Sequence, residues 1–311
     1  MKGYYWVYRG DKEYKNHNLQ EAINYYEYAI KLHPKHYRAM YNLANIYVAY
    51  EDYYSALLNY KKALAIKPDY EVARINYAII LTETYKTDEA IREYEKVTET
   101  KPKFIKIPFL VDNKKSYNHN RGVAFYNMGL AYRTKSLLAG LNRAERRKYL
   151  QKADDSYKKA LETLNNYNAN YNLALINQLL KNQHQAGYYY CKAMEIEPME
   201  YEAHFNLAVL LMDMKNYTGA AAEFKKAGLI LDSKADTTKH KYIYDVLTQV
   251  NQKISATDNT EYFKKLREAD EKNSLMKYKA GKLILDEFED EDLIKSFSQC
   301  SNREIFVGEG A

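Results

Sequence analysis

The sequence predicts an all-α protein: a right-handed superhelical α-solenoid of about six helix-turn-helix repeats, followed by a capping helix and a helical C-terminal tail. Composition is the first reason, because 46% hydrophobic residues with only 11 Gly and 5 Pro in 311 residues favour helices over disorder or a β-sandwich. The second reason is an alanine-aromatic motif that recurs every 33 or 34 residues through most of the chain. The third is a proline that recurs at the same place in the repeat.

The recurring motif lies in the second helix of each repeat. It starts at a small residue, and the six starting positions are Ala22, Ala56, Ala90, Ala153, Ala186 and Ala220. Four residues later comes a ring, at Tyr26, Tyr60, Tyr94, Tyr157, Tyr190 and Phe224. The first helix carries its own small residue, at Gly10, Ala44, Ala78, Gly129, Ala174 and Ala208. Small side chains let two helices approach closely while the ring fills the remaining space, so we expect these positions to form the core.

Four prolines stand twelve residues after the motif alanine: Pro34, Pro68, Pro102 and Pro198. Proline ends a helix, so each one marks the end of a repeat. The whole arrangement resembles the tetratricopeptide repeat family over residues 3 to 234. The resemblance implies stacked helix pairs whose first helices line a concave groove, and it implies a protein or an extended peptide as the partner.

Two insertions interrupt the repeats. Residues 105–121 are predicted to be extended, since Ile105 to Val111 is β-branched and broken by Pro108. This segment could pad the convex seam or lie across the groove as a built-in peptide. About twelve further residues lie between Thr134 and Leu150, so we expect a longer helix pair in the fourth repeat.

The predicted organisation is repeats 1–3 in 3–104, the insertion 105–121, repeats 4–6 in 122–234, a capping helix 235–254, a linker 255–260, an acidic helical tail 261–300 and a frayed end 301–311. The tail is net acidic and the repeats are net basic. We therefore expect the tail to dock on the solenoid or to mediate self-association, the alternative being a solvated end.

Motifs for phosphate binding, dinucleotide binding and metalloprotease chemistry are absent, and the seven histidines are scattered. The sequence therefore predicts no catalytic residue, no cofactor and no metal. Cys191 and Cys300 are interpreted as free thiols, and neither a bilayer-spanning stretch nor a signal peptide is visible. These features predict a cytoplasmic protein, although a periplasmic chain whose export signal had been removed would look the same.

Two functions remain. The first is a non-catalytic interaction scaffold or adaptor; the alternative is an RNA- or polyanion-binding solenoid that uses the basic repeats. The expected groove positions are mostly aromatic and apolar, with Arg38 and Arg133 as the clear cations, which favours a polypeptide partner. One exposed helical face clusters Arg143, Arg146, Arg147 and Lys148; it could contact an acidic partner or simply be solvated.

The candidate peptide site is a row of asparagines at the sixth position of the first helix. The row consists of Asn42, Asn76, Asn127, Asn172 and Asn206, each preceded by a groove residue of which Tyr41, Tyr126, Tyr171 and Phe205 are aromatic. Asparagine can both donate to and accept from an extended backbone, and the row resembles that of sugar-transferase solenoids and kinesin light chains. The alternative is that these amides bond within or between repeats. The two-cation carboxylate clamp of chaperone adaptors is absent, because its positions hold Val7, Val72 and Asn76.

Overall fold

The computed structural model describes residues 2–99, 113–233 and 237–254, and this part of the chain contains thirteen helices and no strand. They are α1 (Lys2–Lys15), α2 (Leu19–Leu32), α3 (Tyr37–Ala49), α4 (Tyr53–Ile66), α5 (Glu71–Glu83), α6 (Thr87–Glu99), α7 (Asn113–Ser136), α8 (Arg143–Leu161), α9 (Tyr167–Leu179), α10 (Gln183–Ile196), α11 (Tyr201–Asp213), α12 (Tyr217–Ser233) and α13 (Thr237–Ile254). Six helix pairs and one further helix match the prediction. The all-α repeat fold is confirmed.

The chain divides into two compact units, residues 1–164 and 165–311. In the N-terminal unit each of the helices α1 to α8 packs on the next one, and in the C-terminal unit α9 to α13 do the same. The division falls between the fourth and fifth helix pairs rather than at the insertion between the third and fourth. A continuous solenoid across both units stays a prediction.

Each helix pair except the fourth is joined by the same turn. The residue two positions after the end of the first helix has a positive φ between 59° and 66°; these residues are His17, Glu51, Tyr85, Lys181 and Lys215. None of them is a glycine, so each turn carries the cost of a left-handed backbone, roughly 1–2 kcal/mol. The chain reverses within a few residues here, which lets the second helix fold back on the first. The fourth pair, with its longer connection, instead has Gly140 at φ 82°.

The motif residues form the core, as predicted. The six rings that follow the motif alanines are all among the largest fully buried side chains. The rings lie directly against the neighbouring first helix: a Cβ added to Gly10 would be 2.5 Å from Cε1 of Tyr26, and one added to Gly129 would be 2.8 Å from Cε1 of Tyr157. Close helix approach is therefore the reason for the small residues.

The region around the insertion differs in part from the expectation. Helix α7 begins at Asn113, so residues 113–121 are helical and the prediction of an extended conformation is wrong for them. They contain neither proline nor a β-branched residue, and Arg121 donates to the Tyr117 hydroxyl one turn away at 3.0 Å. Asn120 also donates to Glu71 on α5 at 3.1 Å. Residues 105–112 lie outside the described residues, and so does any choice between convex seam and groove.

The fourth helix pair is longer than the others, as predicted, but the second insertion accounts only for the longer α8 and its connection, whereas α7 is lengthened by residues 113–121. Its helices have 24 and 19 residues, against 13 and 14 in α3 and α4. Beyond the sixth pair, α13 packs on α12 and buries Ile243, Leu247 and Val250. The predicted linker and acidic tail, residues 255–311, are outside the described part of the chain.

Cys191 is disulfide-bonded, so the prediction of a free thiol at this position is wrong. Whether two distant cysteines come within bonding distance, about 7 Å or less between Cα atoms, is decided by the fold and not by their spacing. Cys300, the other cysteine of the chain, is not among the described residues. None of the helices described has the length and apolar character that crossing a membrane requires.

Candidate functional site

The first two asparagines of the row, Asn42 and Asn76, bond between repeats. Asn42 Nδ2 donates to Oδ1 of Asp11 at 2.7 Å, and Asn76 Nδ2 donates to Oδ1 of Asn45 at 3.2 Å. Both acceptors lie 31 residues earlier, on the preceding first helix. The core ring on the second helix of the acceptor's repeat joins each pair, since the Tyr26 hydroxyl donates to Asp11 at 2.7 Å and the Tyr60 hydroxyl donates to Asn45 at 2.5 Å. Burial and the hydrogen bond with Asp11 raise the pKa of Tyr26. The side-chain amides of Asn42 and Asn76 therefore form hydrogen bonds that connect neighbouring repeats.

Two members of the row turn back on their own helices. Asn127 Nδ2 donates to the carbonyl of Val123, and Asn172 Nδ2 donates to the carbonyl of Asn168, each at 2.9 Å. Asn172 is also 7% exposed, which makes it a buried residue. The five asparagines thus share a sequence position but make two different kinds of contact.

The fifth member, Asn206, lies in the C-terminal unit and connects two first helices. Its Nδ2 on α11 donates to the Tyr171 hydroxyl on α9 at 2.8 Å. Phe205, the neighbour of Asn206, packs edge-on against the core ring of Phe224 with centroids 5.3 Å apart. Three residues of the predicted site are therefore brought together here.

These three residues line a cleft of about 310 Å³ in the C-terminal unit. Its wall consists of Tyr171, Tyr201, Glu202, Phe205, Asn206, Tyr242 and Ile243. Sequence reasoning missed four of them. Tyr201 and Glu202 could have been found, because they lie one turn before Phe205 and Asn206 on the same helical face. Tyr242 lies on the helix that was predicted to cap the repeats, and its side chain is 61% exposed.

Two aromatic rings of the cleft, those of Tyr171 and Phe205, pack against other rings. Tyr167 stacks on Tyr171 with centroids 5.6 Å apart and an interplanar angle of 10°. Tyr242 reaches from α13 to within 6.0 Å of the Phe205 ring, centroid to centroid. Burial raises the pKa of Tyr167, and the negative charge of Glu202 raises it further. The cleft thus combines fixed aromatic surface with a negative edge.

The other predicted aromatic residues pack against core rings of the N-terminal unit. Tyr41 contacts Tyr70 and Tyr60 at centroid distances of 5.1 and 6.0 Å. Tyr126 contacts Tyr157 at 5.7 Å. Like Tyr171, both Tyr41 and Tyr126 are partly buried, so part of each side chain is exposed at the surface.

The four predicted basic residues are exposed at the start of α8, and none forms an ion pair within the described residues. They follow a capping box in which Asn142 Oδ1 accepts from the amide of Glu145 at 2.9 Å, while the Glu145 carboxylate accepts from the amide of Asn142 at 3.0 Å. Cations at a helix start oppose the helix dipole, and the capping box offsets that cost.

The described residues contain no group of three or more His, Cys, Asp or Glu side chains arranged to hold a metal ion. The polar side-chain groups of the cleft, besides the tyrosine hydroxyls, are the amide of Asn206 and the carboxylate of Glu202. That set can bind through contact and hydrogen bonding.

Comparison with known proteins supports the repeat assignment. Models of the tetratricopeptide repeat match residues 9–71, 48–106 and 201–227. Among solved structures, PilF of Pseudomonas aeruginosa aligns with a TM-score of 0.58 at 17% identity, covering 77% of this chain and 95% of its own. A tetratricopeptide repeat protein from Parabacteroides merdae aligns with a TM-score of 0.55 at 16% identity, covering 96% and 98% of the two chains. PilW, a type IV pilus biogenesis factor, aligns with a TM-score of 0.58 at 16% identity, covering 78% and 98%. At such identities the structures share the fold alone, and the sequence models identify tetratricopeptide repeats within residues 9–106 and 201–227.

Proposed function

We propose that this protein is a non-catalytic scaffold that binds an extended peptide segment of a partner protein on the first-helix face of its repeats, within a multiprotein assembly. The observation that carries the proposal is the cleft of the C-terminal unit, where Tyr171, Phe205 and Asn206 meet the exposed ring of Tyr242. Aromatic surface beside a few fixed polar groups is typical of peptide-binding sites.

The asparagine row supports the same function in a modified form. The amide donors of Asn42, Asn76 and Asn206 are used inside the protein, whereas no described donor occupies the Oδ1 atom of any of the three. Each of these amides therefore offers an acceptor that is already oriented by its own hydrogen bond. Within either unit, an extended peptide could donate a backbone N–H group to such an acceptor, which is sequence-independent recognition.

A pair of tyrosine variants tests the proposal. The intact chain is used to capture partners, and the bound segment is located by cross-linking and prepared as a peptide. We expect Tyr242→Ala to weaken binding of that peptide about tenfold, which corresponds to ~1.4 kcal/mol. Tyr188→Ala is the control, since Tyr188 is 53% exposed on α10 and does not line the cleft. Equal affinity of both variants and the parent would place the contact elsewhere.

RNA or another polyanion is the second candidate partner, favoured by the exposed and unpaired cations of α8. Here the expected signature is a steep loss of affinity with salt, because phosphate contacts release counterions. Titration of fluorescent poly(U) with the parent and with Arg146→Glu/Arg147→Glu, at two salt concentrations, separates the candidates. A scaffold for peptides binds poly(U) weakly in both forms.

The disulfide bond of Cys191 bears on the choice of compartment. Disulfides persist in oxidising environments, so the bond at Cys191 removes the argument for a cytoplasmic protein that rested on free thiols. We therefore propose an oxidising compartment, such as the periplasm. Rapid alkylation of whole cells measures this directly: protection of Cys191 from the reagent supports the proposal, and full labelling contradicts it.

A further inference from the structure

The carboxylate of Glu202 is the feature of the cleft that a purely apolar site would not contain. It lies among the rings of Tyr171, Tyr201, Phe205 and Tyr242. Within the described part of the chain, no hydrogen bond or ion pair engages this carboxylate. A charged group left beside aromatic surface without a partner costs free energy that a ligand of opposite charge would recover.

The second polar group of the cleft is also an acceptor. Asn206 donates its Nδ2 to the Tyr171 hydroxyl, and this hydrogen bond fixes which end of the amide is left over. The remaining Oδ1 and the Glu202 carboxylate lie one turn apart on the same face of α11. Two oriented acceptors with no described donor between them suit a ligand group that only donates.

The aromatic walls favour the same kind of group. The faces of aromatic rings carry partial negative charge and attract a cation within about 6 Å of the ring centroid. The Phe205 and Tyr242 rings are 6.0 Å apart and tilted by 41°, so a flat or slender group can rest against both. Ring faces, a carboxylate and an amide oxygen together describe a receptor for an ammonium or guanidinium group.

The corresponding positions of the third repeat lack this combination. There Val72 occupies the place of Glu202 and Ile75 the place of Phe205, although Asn76 keeps the amide. The second repeat has tyrosines at the places of Tyr201 and Phe205, but Arg38 stands at the place of Glu202, so the asparagine and the rings recur whereas the carboxylate is particular to the sixth repeat. This difference points to one specific side-chain pocket rather than to a general property of the repeat.

We propose that the cleft of the C-terminal unit binds a lysine or arginine side chain of the partner peptide, with Glu202 and Asn206 accepting its N–H groups and the four rings enclosing its alkyl stem. The proposal rests on the peptide-binding function above and names the residue that this site recognises. An acidic or phosphorylated side chain would be repelled by Glu202. An aliphatic side chain would bury that carboxylate without a partner.

The test uses the full chain and pools of acetylated, amidated undecapeptides that are random except for the central residue, fixed as lysine, arginine, norleucine or glutamate. Enrichment on immobilised protein is measured for each pool. We expect the lysine and arginine pools to be enriched about tenfold over the norleucine pool, and the glutamate pool to fall below it. Glu202→Gln should abolish the preference because it keeps the shape of the side chain and removes its charge.

Glu197→Gln is the matched control. Glu197 is exposed at the end of α10, so this substitution removes the same charge at a position outside the cleft. It should retain the preference. Equal enrichment of all pools, or the same loss in both variants, overturns the cation pocket while the peptide-binding function stands.

A second readout keeps the two proposals distinguishable. The labelled methyl group of Ile243, which lines the cleft, is followed by NMR during titration with N-acetyl-lysine methylamide and its norleucine analogue. Shifts with the lysine compound only, reduced at least fivefold in Glu202→Gln, support the cation pocket even if no peptide pool is enriched. In that case the peptide-binding function fails by itself. Identical responses to the two compounds overturn the pocket.

Discussion

Replacement of Glu223 by alanine is expected to destabilise the sixth repeat strongly. The Glu223 carboxylate on α12 is 4% exposed and lies 2.7 Å from Nδ1 of His204 on α11. The other ring nitrogen of His204 is 3.3 Å from the carbonyl oxygen of Pro198, and Lys226 is 2.8 Å from Glu223. Both ring nitrogens therefore face oxygen atoms, one on α12 and one at the end of the fifth repeat.

The third repeat contains the same arrangement with a different cation. Arg74 bonds to Glu93 and to the carbonyl of Pro68, and Lys96 lies 2.6 Å from Glu93. The side chains of Arg74 and Glu93 are 14% and 15% exposed, so this pair is partly hydrated. The pair of His204 and Glu223, at 1% and 4%, is not. This difference sets the relative size of the expected effects.

Breaking a buried ion pair by removing one partner costs about 3–5 kcal/mol, because the other charge stays buried. Lys226 is 25% exposed and adds only a few tenths of a kcal/mol. We expect Glu223→Ala to lower the opening free energy of α11 and α12 by about 3 kcal/mol, and Glu93→Ala to lower that of α5 and α6 by about 1–2 kcal/mol. Hydrogen exchange resolved by helix measures both.

The pH dependence has a defined sign. Burial by itself would raise the pKa of Glu223, but the hydrogen bond and charge of His204 outweigh it and hold that pKa below its ordinary value of 4.5. The stabilisation is therefore complete above about pH 4.5 and is lost as the pH falls through the lower folded-state pKa. The single substitution His204→Arg copies the arrangement of Arg74 and Glu93, so this variant should keep most of the stability of the parent protein at pH 7. A loss below 1 kcal/mol in Glu223→Ala at pH 7 would refute this account of the buried pair.

Three further substitutions test individual features of the fold. Gly10→Ala forces a Cβ to within 2.5 Å of the Tyr26 ring, so urea unfolding should show a loss of about 1–3 kcal/mol, and an unchanged midpoint would contradict the close approach. Gly140→Ala has nothing within 4 Å of the new Cβ but keeps φ at 82°, so the same assay should show about 1 kcal/mol from the backbone alone. Asn142→Ala removes the capping box of α8 and should destabilise the first turn of that helix by about 1 kcal/mol, so its amide hydrogen exchange should be faster. An unchanged exchange rate in that turn would argue against the cap.

The sequence by itself determined the repeat architecture and most of the core. Small residues and rings that recur every 33 or 34 positions are a direct consequence of stacking one helix pair on the next, so the pattern can be read without coordinates. The same logic located the longer fourth pair. The prediction failed for residues 113–121, because the extended conformation inferred from the β-branched and proline-containing residues 105–111 was carried past the last β-branched residue, Val111.

Only the tertiary structure decided what the asparagine row does and where the cleft lies. Equivalent sequence positions gave Asn42 and Asn206 partners on the preceding first helix but turned Asn127 back on its own helix, since the neighbouring side chain differs in each repeat. The cleft needs Tyr242, which is 36 residues beyond Asn206 and reaches it only because α13 folds back against the sixth repeat. Periodicity specifies which face of a helix is buried; the partners across that face depend on how distant helices meet.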